Sequence, residues 1–181
     1  DLKKTICQRN VFSERGFDAF RKKYLVQTMR CYNTLAELRL HPPRADCYIT
    51  GSDQVWAQLL SAEDNKSFFL DFGSQITKRI SYAPSFALED YPSELKEKLV
   101  EQLRKFDAIS VRERSGVRIC KEMGYEASLV LDPTLLLMSE QYKDLMKQPP
   151  VSNYCFAYHV NVTSKEELFW NSLDRDRKSV V

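Results

Sequence analysis

Several short polar clusters in this chain each follow an apolar run, and their residue types could do chemistry. Gly51-Ser52-Asp53-Gln54 follows CYIT, and Ser81, Tyr82 and Ser85 lie in and after KRISYA. Arg112-Glu113 follows DAISV, and Asp132-Pro133-Thr134 follows ASLVL. An arginine at a strand exit offers a rigid fork of donors for a carboxylate or phosphate. The same arginine could instead pair with Glu113 or another surface acid. Gly51 permits close backbone approach, and Ser52 or Asp53 is a good N-cap for a following short helix. The turn is then either a capped loop or an anion site built on exposed N–H groups. The hydroxyls of Ser81, Tyr82 and Ser85 either line a polar pocket or satisfy nearby backbone. Asp132 is read as the cap of the turn into Thr134.

The elements that must position these residues follow from periodicity and punctuation. Residues 13–40 read as one long helix or two short ones, with Phe17, Phe20, Tyr24, Leu25, Leu35 and Leu38 at roughly helical spacing, ended by His41-Pro42-Pro43. Cys47 to Thr50 is the first strand. Residues 66–72, KSFFLDF, read as a short strand or extended segment, and 78–83 as another strand. Pro92 opens a helix over 92–105, with Leu95, Leu99 and Leu103 on its buried face. DAISV is a strand, RERSGVRICKEMG a helix closed by Gly124, and ASLVLD a further strand. SEQYKDLMKQ is a short helix. Strands alternating with helices predict a Rossmann-like α/β fold, a parallel sheet with helices on both faces. In such sheets ligands bind beyond the carboxyl ends of the strands, where the polar clusters lie.

QPPVSN, 148–153, is the best linker. It divides the chain into residues 1–148, a linker at 149–153, and residues 154–181, read as the start of a second α/β domain. His41 lies in a Pro-flanked loop and His159 on a strand-like run, so neither stands out as a catalyst.

Composition narrows the function. The chain has 181 residues, 43% hydrophobic and 29% charged, which fits a globular, core-forming protein. A net charge of +2 gives no argument for nucleic acid. Residues 1–45 hold ten Lys/Arg and four Asp/Glu. That excess reads first as a solvated helix face, and it leaves peripheral contact with an anionic membrane or a polyanionic carrier lipid open. Five cysteines (7, 31, 47, 120 and 155) without CxxC spacing argue against a disulfide framework and against a zinc site. Reduced thiols suit a cytoplasmic protein. No apolar run approaches the ~20 residues of a membrane span.

Taken in series, YITGSDQVW, FFLDF, KRISYAPSF, FDAISVRERSG and VLDPTLLL resemble the polysaccharide pyruvyl transferase family. Order and spacing match over about residues 13–158, and the opening FDAFRKKYLVQT also fits. The resemblance implies a GT-B-like two-domain enzyme. It implies transfer of a pyruvyl group from phosphoenolpyruvate to sugar hydroxyls of a surface polysaccharide or exopolysaccharide, usually as a ketal. Phosphoenolpyruvate is then a substrate; no separate cofactor and no metal are implied. The acceptor would be a polysaccharide or lipid-linked saccharide, handled in the cytoplasm or at the inner face of the membrane. Arg112 is similar in position to the family arginine that contacts the anionic donor. The family's catalytic histidine lies in an Arg/His motif of the C-terminal domain, which this sequence lacks, as it lacks the Gly-rich first strand–turn. The expectation is therefore a chain truncated at both ends and inactive alone. Two departures stand out: Ala57 where Asn commonly follows the tryptophan, and Ala87 where the family often carries Gly. A nucleotide-sugar glycosyltransferase of GT-B fold and a non-enzymatic remnant are the competing readings.

Overall fold

The computed structural model describes residues 17–57, 60 and 62–146. The chain divides into two compact units, Asp1–Leu136 and Leu137–Val181. The expected linker at 149–153 and the segment 154–181 lie outside the described residues, as do His159, Cys7 and Cys155.

In the first unit the N-terminal region forms two short helices, α1 (Phe17–Tyr24) and α2 (Leu35–Leu40). The hydroxyl of Thr34 caps α2 by accepting from the Glu37 N–H at 3.2 Å. Of the apolar residues at helical spacing, Leu35 is buried, whereas Phe20, Tyr24 and Leu25 are each about half exposed. Helical spacing marks a face that could be buried, but it does not supply the partner that buries it.

Four strands follow: β1 (Cys47–Thr50), β2 (Lys78–Ser81), β3 (Ser110–Val111) and β4 (Ser128–Leu129). β1 pairs with β2 and β3 with β4, both in parallel. A parallel bridge between Ile80 and Ala108 links the two pairs. The fold is mixed α/β with small parallel sheets. The broad Rossmann-like sheet expected from the sequence is not what the described residues form, because β3 and β4 are each two residues long. Helices α3 (Lys96–Leu103) and α4 (Arg114–Glu122) lead into β3 and out of it. Gly124 at φ +85° terminates α4 in the conformation its lack of a Cβ allows. The second unit contains α5 (Ser139–Tyr142) and a further 3-10 turn at Lys143–Leu145.

Residues 63–69 correct the sequence reading. Of the segment 66–72, expected as a short strand or extended, residues 66–69 belong to a 3-10 helix, Glu63–Phe69, closed by Leu70 in the left-handed region. The cause is a long-range demand. The Phe68 carbonyl accepts both the Trp56 indole N–H at 3.0 Å and the Thr50 hydroxyl at 2.8 Å. A strand there would turn that carbonyl into a ladder instead.

Trp56 is the hub of the core. It is fully buried, stacks on Phe69 at 5.1 Å, and meets Phe86 at 5.0 Å and Phe106 edge-on at 5.7 Å. Leu99 and Leu103 from α3, and Ile119 and Cys120 from α4, complete the cluster. Burial pushes the Cys120 thiol up to about 12, so it packs as an inert apolar group.

Two substitutions separate packing from backbone strain. Trp56→Ala is expected to cost about 3–5 kcal/mol in denaturant unfolding, the range for removing a large buried aromatic. Ala87→Gly should act the other way. Ala87 is exposed and sits at φ +52°. Relieving a left-handed alanine should stabilise the chain by roughly 1 kcal/mol, measured as a higher midpoint in the same titration.

Candidate functional site

The strand exits are tied side by side by backbone hydrogen bonds that continue the sheet past its strands. Asp53 bridges Pro84, and the Ser85 N–H donates to the Asp53 carbonyl at 2.8 Å. The Trp56 N–H donates to the Ser85 carbonyl, and the Arg112 N–H to the Pro84 carbonyl, each at 3.2 Å. The Val130 N–H donates to the Val111 carbonyl at 3.0 Å. Gly51 makes the first of these approaches feasible. It sits at φ +119°, and a Cβ there would lie 2.0 Å from the Tyr82 carbonyl oxygen. The close approach expected of Gly51 is thus to the neighbouring strand exit.

On this platform the side chains converge on Arg112. Its guanidinium donates to Glu113 at 3.1 Å (Nε), to Asp132 at 3.0 Å (Nη1) and to Asp53 at 3.3 Å (Nη2). One cation therefore faces three carboxylates, a net charge of −2. The hydrogen bond that Arg112 donates to Glu113 is the largest influence holding it protonated, opposed by desolvation and joined by those to Asp132 and Asp53. Glu113 stands at the N-cap position of α4 but makes no side-chain cap, its carboxylate being used by Arg112.

The three acids are not equivalent. Asp132 is 22% exposed and Asp53 is 82% exposed. Asp132 is also fixed by Thr134, whose N–H and hydroxyl donate to it at 3.0 and 2.7 Å. Asp53 makes the longest of the three contacts. It is the partner that can leave most easily.

The sequence-predicted residues fall into two groups. Ser52, Asp53, Arg112 and Glu113 come together, with the Ser52 hydroxyl hydrogen-bonded to Asp132. No helix begins directly after the turn, so neither Ser52 nor Asp53 caps one; Arg112 and Asp132 take their side chains instead. Gln54 is exposed beside them and Tyr82 is half-buried. The hydroxyls of Ser81 and Ser85 are used inside the protein. Ser81 donates to the Ser110 carbonyl at 2.9 Å and accepts from its N–H at 3.0 Å. Ser85 accepts from the Ala87 N–H at 3.0 Å. Asp132 does cap its turn, as the Asp-Pro-Thr string indicates, and it also anchors Arg112. That second role has one sequence signal, an acid following a strand next to the strand that delivers Arg112.

The electrostatics of Asp132 are measurable. Its carboxyl is lowered to about 2, first by the Thr134 N–H, then by the Thr134 hydroxyl, against desolvation, with Arg112 and Ser52 contributing less. Because the folded value is depressed, the stability this carboxylate contributes is present above its unfolded value of about 4. It is lost as pH falls toward about 2. A carbon-13 titration should find Asp132 ionised down to about pH 2, still well below the usual range in Arg112→Gln and raised further in Thr134→Ala. A normal value in Arg112→Gln would show that the ion pair, not the turn, dominates.

Among the described residues no group of His, Cys, Asp and Glu could hold a metal ion, and no helix is long and apolar enough to cross a membrane. Comparison with known proteins bears on the same motifs. No curated protein matches the chain, and no solved structure does. The model of one family, polysaccharide pyruvyl transferase, matches residues 5–178, a span that takes in every strand exit described above. The chain belongs to the polysaccharide pyruvyl transferase family.

Proposed function

We propose that this chain carries the donor-binding side of a pyruvyl transferase that moves the pyruvyl group of phosphoenolpyruvate onto sugar hydroxyls of a surface polysaccharide or exopolysaccharide. The observation that carries the proposal is the Arg112 guanidinium, held at the strand exits by one exposed and two firmer carboxylates. The donor's carboxylate or phosphate takes the place of Asp53 on Nη2. Exchange of one anion for another leaves the buried end of the fork paired throughout, which limits the desolvation penalty. Glu113 and Asp132 keep the guanidinium plane oriented.

The chemistry then runs as follows. A general acid protonates the donor's methylene carbon, and C2 becomes electrophilic. A sugar hydroxyl oxygen bonds to C2 and gives up its proton. The C2–O bond to phosphate breaks and phosphate departs with the electron pair; a second hydroxyl oxygen then bonds to C2 and gives its proton to the phosphate, closing the ketal. The described residues bind and orient; the acid belongs to the Arg/His motif of a second, GT-B-type domain. The acceptor is a polysaccharide or lipid-linked saccharide met on the cytoplasmic side of the membrane.

Calorimetric titration of the chain with phosphoenolpyruvate tests this. Arg112→Gln should weaken binding by about tenfold or more, the loss of a charge-assisted hydrogen bond. Asp53→Asn should leave it equal or tighter. Binding of a nucleotide sugar in place of phosphoenolpyruvate would point to an ordinary glycosyltransferase instead.

A further inference from the structure

The strands of the first unit have a second end, and a cavity of about 610 Å³ lies there. Its wall comes from segments that lead into strands. Arg39 belongs to α2, ahead of β1; Asp71 and Phe72 lie in the loop ahead of β2, and Arg79 is the second residue of that strand. Arg104 and Lys105 directly follow α3, ahead of β3. The Arg112 cluster lies past the opposite ends. A four-residue strand separates the two, roughly 13 Å at ~3.3 Å per residue.

The charge in this cavity is unbalanced. Four cations line it against a single carboxylate, Asp71. Asp71 is shared, accepting from Arg39 at 2.6 Å and from Lys105 at 2.5 Å. Burial would raise its pKa, but the hydrogen bonds from Lys105 and Arg39 outweigh that and hold it below the usual range. Arg39 also reaches Glu63 at 2.9 Å. The other two cations have no carboxylate partner among the described residues. Arg79 is 6% exposed, and its guanidinium donates only to carbonyls, those of Leu70, Phe72, Ser74 and Thr77. Carbonyl dipoles fix its position and orient it but do not cancel its charge. Arg104 is exposed at the cavity wall, and its side chain makes no ion pair or hydrogen bond among the described residues.

A buried guanidinium locked by backbone, with one N–H left and its charge uncancelled, beside Arg104, which has no partner among the described residues, is a preorganised anion receptor. The fixed group costs no ordering on binding, and Arg104 supplies a mobile clamp. The volume exceeds what a lone phosphate fills and falls within the range of small-molecule sites.

We propose that this cavity is a second ligand site, separate from the Arg112 cluster, and that it takes a diphosphate or phosphate-ester anion between Arg79 and Arg104. The proposal does not depend on the pyruvyl-transfer reading. Its ligand could be free pyrophosphate or a diphosphate borne on a nucleoside, and both are used as probes.

The test is calorimetric titration of the chain with inorganic pyrophosphate and, separately, with a nucleoside diphosphate. Both are expected to bind, more weakly at 200 mM than at 50 mM salt, as for any charge-driven contact. Tighter binding of the nucleoside diphosphate would place its base or sugar on Phe72; equal affinity would assign the site to the phosphates alone. Arg104→Gln should weaken both by about tenfold without moving the thermal midpoint, since Arg104 makes no side-chain bond among the described residues. Gln75→Glu, which puts an acid on the exposed rim of the same cavity, should weaken both as well. Lys98→Gln, an exposed cation of α3 outside the cavity, should change nothing. No binding at millimolar pyrophosphate would overturn the proposal. So would equal losses in Arg104→Gln and Lys98→Gln, or a loss confined to Arg112→Gln.

Discussion

The rung at Pro84-Ser85 is the constraint on which the rest of the first unit depends. Four-residue strands are too short to set a site by themselves. The pairing continues beyond them: Asp53 and Arg112 both engage the backbone of Pro84 and Ser85, from opposite sides. Trp56 is fastened to the same rung by its own N–H and locks it to the core through its ring. Backbone in the left-handed region concentrates here, at Asp53, Ala83 and Ala87, as well as at Leu70. Such conformations persist only where packing over-determines them. The buried side of this stretch, Ala83 to Phe86, supplies that packing.

The rung gives the site its chemistry. Because three strand exits are held level, an arginine from one meets carboxylates from two others as well as its own neighbour. The result differs from a free cation waiting for an anion. Each nitrogen of the Arg112 guanidinium already has a carboxylate partner, and the cluster carries excess negative charge. On the proposed reading an anionic donor would bind by exchange, with Asp53, exposed and most distant, as the group placed to yield. Among the described residues, positive charge without a carboxylate partner lies instead at the far ends of the strands, around Arg79 and Arg104.

Much of this was legible in the sequence. Apolar runs broken by Gly, Pro and Ser placed β1 and β2, and Leu99 and Leu103 marked the face of α3 that is buried. The polar clusters were recognisable as strand exits. What could not be read were the demands that come from far along the chain. The FFLDF stretch looked extended because aromatic residues favour strands. It turns because Thr50 and Trp56 both need the Phe68 carbonyl. For Ser81 and Ser85 the sequence left a pocket lining and backbone satisfaction both open; the hydroxyls bond to backbone, at Ser110 and Ala87. Arg79 showed only as a strand residue, since nothing local reveals that a loop will wrap its carbonyls around it. In the family pattern a glycine often follows Ser-Phe; Ala87 occupies that left-handed position without one.

The central claim is that Arg112 accepts an anionic donor by releasing Asp53 while Asp132 stays in place. Carboxyl carbon-13 spectra recorded as phosphoenolpyruvate is added to the chain address it directly. The predicted result is a saturable shift of the Asp53 resonance with Asp132 unmoved. Saturable binding with both resonances unmoved, or with Asp132 displaced and Asp53 unchanged, would contradict it.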